Sequence, residues 1–285
     1  MSSVLYDAPG PRARRRELLL SAVAGVVLLA VLFVMYHQLD SREQWAAERW
    51  QVFSDPPLGQ RAEDVWRSLL VTGLLATLKA AAVAAVIAAV LGVVLAIGRM
   101  ATVSWIRVPV IVIIEFFRGL PVVLLMFFGV IALGLPLFWG VVFGLVLYNG
   151  AIVAEILRAG IVSLPKGQTE AAYALGLRPG RTMRLVVLPQ ALRVIIPPLI
   201  SQYLNLTKNT TLGMAISYLD LKGTLGGITL NQTGRELECM LLMMLIYLII
   251  SLIISALMNI YNNAVKLKER WDAGRHCPLC PRPDA

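Results

Sequence analysis

Apolar residues gather into six long runs: Leu18–Tyr36, Leu69–Gly98, Val108–Leu133, Leu137–Leu157, Ala191–Leu206 and Cys239–Tyr261. A bilayer core takes about 20 apolar residues per helical crossing. The pattern therefore predicts an all-α membrane protein with about six transmembrane helices. Between Arg118 and Glu155 lie 36 consecutive residues without a charge. That is too long for one span and right for two, parted at the Gly134-Leu135-Pro136 turn. In the fifth run Pro197 and Pro198 predict a break, which membrane helices tolerate where neighbours or a cavity satisfy the freed backbone. In the second run Ala80, Ala84, Ala88, Gly92 and Ala96 recur at every fourth position. That spacing puts them on one helix face, where small side chains let another helix come close.

Composition agrees with the pattern. Of the 285 residues 58% are hydrophobic and 15% charged, and the mean hydropathy is +0.74. A formal charge of +9 in a soluble protein would point to nucleic acid. Here the basic residues stand between apolar runs, which is the arrangement that sets membrane orientation. With the N-terminus inside, the inner segments hold 17 Lys and Arg and the outer ones seven. Both termini are therefore expected in the cytoplasm. Arg12, Arg14, Arg15 and Arg16 ahead of the first run resemble a signal peptide start. The 19-residue length of that run and the absence of a small-x-small site favour an uncleaved first span. The segment 37–68, with three Trp, is expected outside as an interfacial loop.

Catalytic or metal chemistry finds little support. Cys239, Cys277 and Cys280 give no disulfide framework. His276-Cys277-Pro278-Leu279-Cys280 is half a zinc site, short of the four ligands a closed site needs. No phosphate-cradling GxxxxGK[ST] loop occurs.

One polar stretch interrupts the apolar pattern: "EAAYALGLRPGRTMRLVVLPQ", Glu170 to Gln190. Lys166–Leu175 reads as a short helix, with Gly176 placed to end it in a left-handed conformation. Arg178-Pro179-Gly180 is turn chemistry, and a second helix starts near Arg181. Small residues at Ala171, Ala172 and Gly176 fit insertion into a cleft of another protein, bordered by Arg178, Arg181 and Arg184. A solvated basic loop against anionic lipid fits the same residues.

The stretch resembles the EAA loop of ABC importer permeases. Glu170-Ala171-Ala172, Gly176 and Val186-Val187-Leu188-Pro189 follow the family spacing, with Val in place of Ile. "EFFRGLPVVLLMFF" (115–128), "AEILRAGIVSLPKGQTEAAYALGL" (154–177) and "LTKNTTLG" (206–213) are similar to further motifs of polar amino acid permeases. The likeness runs from about Leu69 to Arg270 and is strongest to permeases for glutamate, glutamine and general L-amino acids. It implies a five-helix core, here with one extra N-terminal helix, and assigns Glu170, Ala171, Ala172, Gly176, Arg178, Leu188 and Pro189 to docking on an ATPase. It also implies a second permease subunit, two ABC ATPase subunits that bind the ATP, and an extracytoplasmic amino acid-binding protein.

Charges inside apolar runs are costly and usually meet a partner or water. Glu115 and Arg118, like Glu155 and Arg158, stand three apart and can pair on one helix face. They are candidates for gating or structural ion pairs, and plain neutralisation explains them equally well. Lys79 can reach the outer interface with its head group. Lys208, Asn209, Thr210 and Thr211 offer a cation, an amide and two hydroxyls for a substrate carboxylate, or an ordinary outer loop.

The expected organisation is a basic cytoplasmic N-terminus (1–17), an extra helix (18–36), an outer loop (37–68), a permease domain (69–262) with the coupling loop at 166–189, and a cytoplasmic tail (263–285). The expected function is the non-enzymatic permease subunit of an ATP-driven importer of polar L-amino acids in a bacterial inner membrane. It needs lipid around it, no cofactor of its own, no metal and no nucleic acid. A self-sufficient secondary transporter is the alternative, but such folds usually show internal repeats with two matching broken helices, and neither is evident.

Overall fold

The computed structural model describes residues 10–51, 54, 61–224, 237–253, 255, 256 and 260. The His276-Cys277-Pro278-Leu279-Cys280 motif and the rest of the tail lie outside them. Every regular element among the described residues is helical. The chain divides into two compact units, Met1–Gly59 and Gln60–Ala285.

The first unit is dominated by α1, Pro11–Asp40. Its start is local chemistry: Gly10 is extended and Pro11 takes the first turn, where its missing N–H costs nothing. At 30 residues α1 exceeds the expected apolar run at both ends and reaches about 45 Å, more than a bilayer core. Its apolar side chains from Leu18 to Tyr36 are exposed. Near its end Tyr36 stacks on Trp45 with ring centroids 5.9 Å apart, before a short helix at Ala47–Trp50.

The second unit holds the bundle. Its elements are α2 (Ser68–Arg99), α3 (Ser104–Gly119), α4 (Val122–Ala132), α5 (Leu137–Val162), α6 (Lys166–Ala174), α7 (Pro179–Ile216) and α8 (Leu237–Ile253). The helix α5 is the axis, and α2, α3, α4 and α7 all pack against it. Between α2 and α5 the small-residue stripe is buried as expected: Ala80, Ala84, Ala88, Gly92 and Ala96 are all shielded. The fit is reciprocal. A Cβ on Gly92 would strike the Val153 side chain, and one on Gly150 would lie 2.8 Å from Leu91 Cδ2. Lipid tails are as apolar as the helices, so such close packing, rather than escape from water, holds helices together in a membrane.

Two expectations about the spans are corrected. The run 108–133 is not one straight helix: α3 and α4 meet at 102°. Leu120 is extended (φ −91°, ψ 137°) and Pro121 is non-helical (ψ 131°), consistent with the bias of a pre-proline residue away from the helix. Conversely, the predicted break at Pro197-Pro198 is absent. The segment Leu188–Asn209 is a continuous α-helix with both prolines inside it, flanked by a π-helical turn at Met183–Val187 and a 3₁₀ stretch at Thr210–Ile216. Neighbouring contacts on both sides, described below, outweigh the local proline penalty. Of the sixth expected span, the described part is α8.

Candidate functional site

The helix α5 ends at Val162, and Ser163 and Pro165 lead directly into α6. After α6 the chain turns in a Schellman motif. Gly176 N–H donates to Tyr173 O at 2.9 Å, and Leu177 N–H to Ala172 O at 3.2 Å. Gly176 carries φ +76°, the left-handed value its position predicts. Extended Arg178 then precedes a helical turn at Pro179–Thr182, the start of α7. Thr182 is buried, and its hydroxyl lies within hydrogen-bonding reach of Leu177 O at 3.5 Å.

The expected docking residues divide by exposure. Ala172 faces inward at 3% exposure, whereas Glu170, Ala171, Gly176, Arg178, Leu188 and Pro189 are exposed. Arg181 and Arg184 are exposed as well, so the basic border forms. Leu175, next to the turn, is 82% exposed, an apolar side chain offered outward. Gln190 Nε2 donates to Gln168 Oε1 at 3.3 Å and ties α7 back to α6. Beneath them lies a cavity of about 470 Å³ lined by Ile161, Leu164, Lys166, Glu170, Thr182 and Val187, among others. The outcome is a two-helix element that continues from the end of α5 and packs on the start of α7, with one small-residue and basic face open.

Glu115, Arg118, Glu155 and Arg158 converge at the same end of α5. Arg158 chelates Glu155, with Nη2 2.6 Å and Nε 3.1 Å from Oε1. Arg118 Nη1 lies 3.6 Å from Glu115 Oε2. Both expected pairs exist, but they are not separate. Arg99 at the end of α2 reaches Glu115 Oε1 at 3.2 Å and Glu155 Oε2 at 3.0 Å through one nitrogen, Nη1. The short connection between α2 and α3 makes this possible: α3 crosses the end of α2, where Gly98 faces Val110. Below the charges an apolar cluster of Leu95, Ala96, Ile114, Ala151 and Ala154 seals the contact.

Lys208 lies near the far end of α7 and lines a cavity of about 540 Å³ with Met243, Met244, Tyr247, Leu248 and Ser251 of α8, among others. Thr210 and Thr211 serve the backbone there. Their hydroxyls donate to Thr207 O and Lys208 O, each at 2.8 Å, and Thr210 is fully buried. Asn209 is half-buried beside them. Past α7, Asp220 is fully buried and its Oδ1 accepts from Gly223 N–H at 2.8 Å. Burial pushes its carboxyl above the usual range.

Two features were not anticipated. Arg99 sits where basic residues simply set orientation, and no local pattern pairs it across 56 positions with Glu155. Asn149, within the uncharged run, is fully buried. Its Nδ2 donates to Leu145 O and its Oδ1 accepts from Gln202 Nε2, both at 2.7 Å, linking α5 to α7. A lone amide in so long an apolar run was the available signal.

Known proteins share this architecture. Residues 88–267 match the family described as binding-protein-dependent transport system inner membrane component. The glutamate/glutamine/aspartate/asparagine transport system permease protein BztB of Rhodobacter capsulatus is 74% identical over 126 residues, 44% of this chain and 30% of that protein. The glutamate transport system permease protein GluD of Corynebacterium glutamicum is 36% identical over 191 residues, 64% of this chain and 67% of that one. This chain thus spans under a third of BztB and two thirds of GluD. A crystal structure of an amino acid ABC transporter with histidines superposes with a TM-score of 0.66 at 30% identity, covering 70% of this chain and 95% of that one.

Proposed function

Because the chain belongs to the family of inner membrane components of binding-protein-dependent transport systems, we propose that it is the permease subunit of an ATP-driven importer of polar L-amino acids, glutamate and glutamine first among them. The observation that carries this reading is the element α6 with its Gly176 turn. It follows the central helix directly in the chain, packs on the start of α7, and presents exposed Glu170, Ala171 and Arg178. Such an element suits a lever, through which closure of two ATPase subunits moves the helices. Those subunits bind the ATP. A second permease subunit completes the pore, and an extracytoplasmic receptor supplies substrate. The excess of Lys and Arg on one side supports an orientation with both termini and α6 in the cytoplasm.

The substrate range follows the relatives, whose names specify glutamate, glutamine, aspartate and asparagine. A carboxylate entering a partly dehydrated path needs a cation or several donors. Lys208, at the edge of the cavity against α8, supplies the cation. Asn209, Thr210 and Thr211 shape the backbone around it. Glu115, Arg118, Glu155 and Arg158 belong to the inner end of the path, where they join helices that must move together.

The test is uptake of labelled glutamate, glutamine and arginine by the complex reconstituted with ATPase and receptor partners, with wild type and Lys208→Ala. ATP-dependent uptake of glutamate or glutamine, reduced more by the substitution than uptake of arginine, is the expected result. A preference for sugars or peptides would reject the amino acid reading. Loss of expression alone would leave Lys208 structural.

A further inference from the structure

The charged cluster at the end of α5 has a geometry that a set of independent ion pairs would not have. Glu155–Arg158 lies within α5, and Glu115–Arg118 within α3. Each pair could neutralise itself without regard to the other. Arg99 instead joins them, and it comes from a third helix. Its side chain is the most buried of the five, 14% exposed against 21% for Glu155 and 53% for Glu115. A guanidinium suits this role, because it stays charged and presents several donors in a fixed fork. The cluster contains three cations and two anions. Removing Arg99 therefore leaves two self-paired arms with no ion pair between helices, only the apolar contact and the longer-range attractions of Glu155 for Arg118 and Glu115 for Arg158.

Position adds the second part of the argument. From Glu155 to the end of α5 at Val162 is about two helical turns, roughly 10 Å. Just past that point hangs α6. The clamp thus sits close to the point where the lever enters the bundle. The apolar cluster beneath it gives the same three helices a shared packing surface. The α3 arm lies across the end of α2 because only residues 100–103 join the two helices.

We propose that Arg99 is a positioning residue that clamps α2 and α3 to α5, so that displacement of the coupling element moves three helices as one block. This rests on the proposed function. A displacement of α6 then reaches α4 through the far end of α3, and reaches the small-residue interface through α2. Without Arg99, α5 moves under load while α3 lags. ATP hydrolysis continues, but less of it is converted into uptake.

The experiment uses the full complex with its ATPase and receptor partners and compares wild type, Arg99→Gln, Arg99→Lys and Glu115→Gln. The readouts are assembly, receptor-stimulated ATPase rate, and uptake per ATP hydrolysed. A distance between spin labels at Val112 on α3 and Val162 on α5, both exposed, is recorded without nucleotide and in an ATP-trapped state. The expected result for Arg99→Gln is intact assembly, retained hydrolysis, and uptake per ATP reduced by about tenfold, in the usual range of coupling between sites. Arg99→Lys restores part of it, because one nitrogen serves both carboxylates. The label distance stays constant across the cycle in wild type and changes in Arg99→Gln. Glu115→Gln, at a half-exposed position, removes only the α3 arm and carries the test where Arg99→Gln fails to assemble. Unchanged uptake per ATP in Glu115→Gln and in any assembled Arg99→Gln complex would overturn the proposal. So would uptake and hydrolysis falling in proportion in Glu115→Gln, which marks a structural role. A wild-type complex without ATP-driven uptake would instead overturn the proposed function itself.

Discussion

At Gly119-Leu120-Pro121 the chain turns by 102° between α3 and α4, whereas at Pro197-Pro198 the helix α7 runs on without interruption. Both sites lie in apolar helical sequence, and the second carries twice the proline. Intrinsic preference alone ranks them the wrong way round, since interior prolines remove hydrogen bonds and crowd the preceding turn. Their surroundings account for the difference. Before Pro197, Ala191 and Ile195 are buried, with Ile195 pressed into the notch at Gly160 of α5. After Pro198, Gln202 bonds to Asn149 and Leu206 is buried. Both flanks are thus held to one partner helix along one line. Around Pro121 the flanks belong to two separate clusters along α2 and α5. Ile114 packs with Leu95 and Ala154 near the charged end, while Met126 packs with Val141 and Leu145 in the other cluster. A proline permits a bend, and the packing on either side decides whether there is one.

The largest expected effect is at the contact that holds α4 in its bent course. A Cβ on Gly144 would meet Met126 backbone N at 2.8 Å. Because backbone cannot swing aside, Gly144→Val is expected to destabilise by about 3 kcal/mol, at the upper end of overpacking costs. Thermal unfolding of the purified protein in detergent measures it. A loss near zero would mean that packing does not set the course of α4. Next comes the uninterrupted helix. Replacing Pro197 and Pro198 together with Ala restores two backbone donors where the helix already exists. A gain of about 1–3 kcal/mol is expected in the same assay. A loss would show that the prolines are themselves part of what holds α7. The smallest effect belongs to Pro121→Ala, below about 1 kcal/mol, with the bend retained. Spin labels at Ile113 and Ile131, on opposite sides of the bend and both exposed, report the angle. Straightening would return the bend to the proline and undo the contrast.

These cases mark what the sequence made legible. The helical runs were plain because membrane helices satisfy their own backbone and so need only length and apolarity. The α2 stripe was readable because the buried face repeats every fourth residue. The turn at Gly176 was readable because its chemistry is local: a small helix, a glycine, then Arg178-Pro179-Gly180. The bend after α3 was not, since residues 108–133 are apolar on both sides of it and the two packing clusters draw on distant residues of α2 and α5. Arg99 was not, because its partners depend on α2 and α5 ending side by side. The pairs at Glu115 and Glu155 were foreseen from spacing within one helix, but spacing cannot show that a third helix joins them.

The turn at Gly176 has a stereochemical consequence. Nothing lies within 4 Å of where a side chain's first carbon would stand on that glycine. The chain itself therefore tolerates bulk there and objects only to handedness, because φ is +76°. An L-alanine would strain the turn by about 1 kcal/mol, and a D-alanine, whose mirror-image preference matches that φ, would not. The two enantiomers add the same methyl group and differ only in the backbone they favour. Placed at position 176 by chemical ligation, they form a matched pair that separates two demands a glycine ordinarily hides in one residue: the shape of the turn, and the room a docking partner needs beside it.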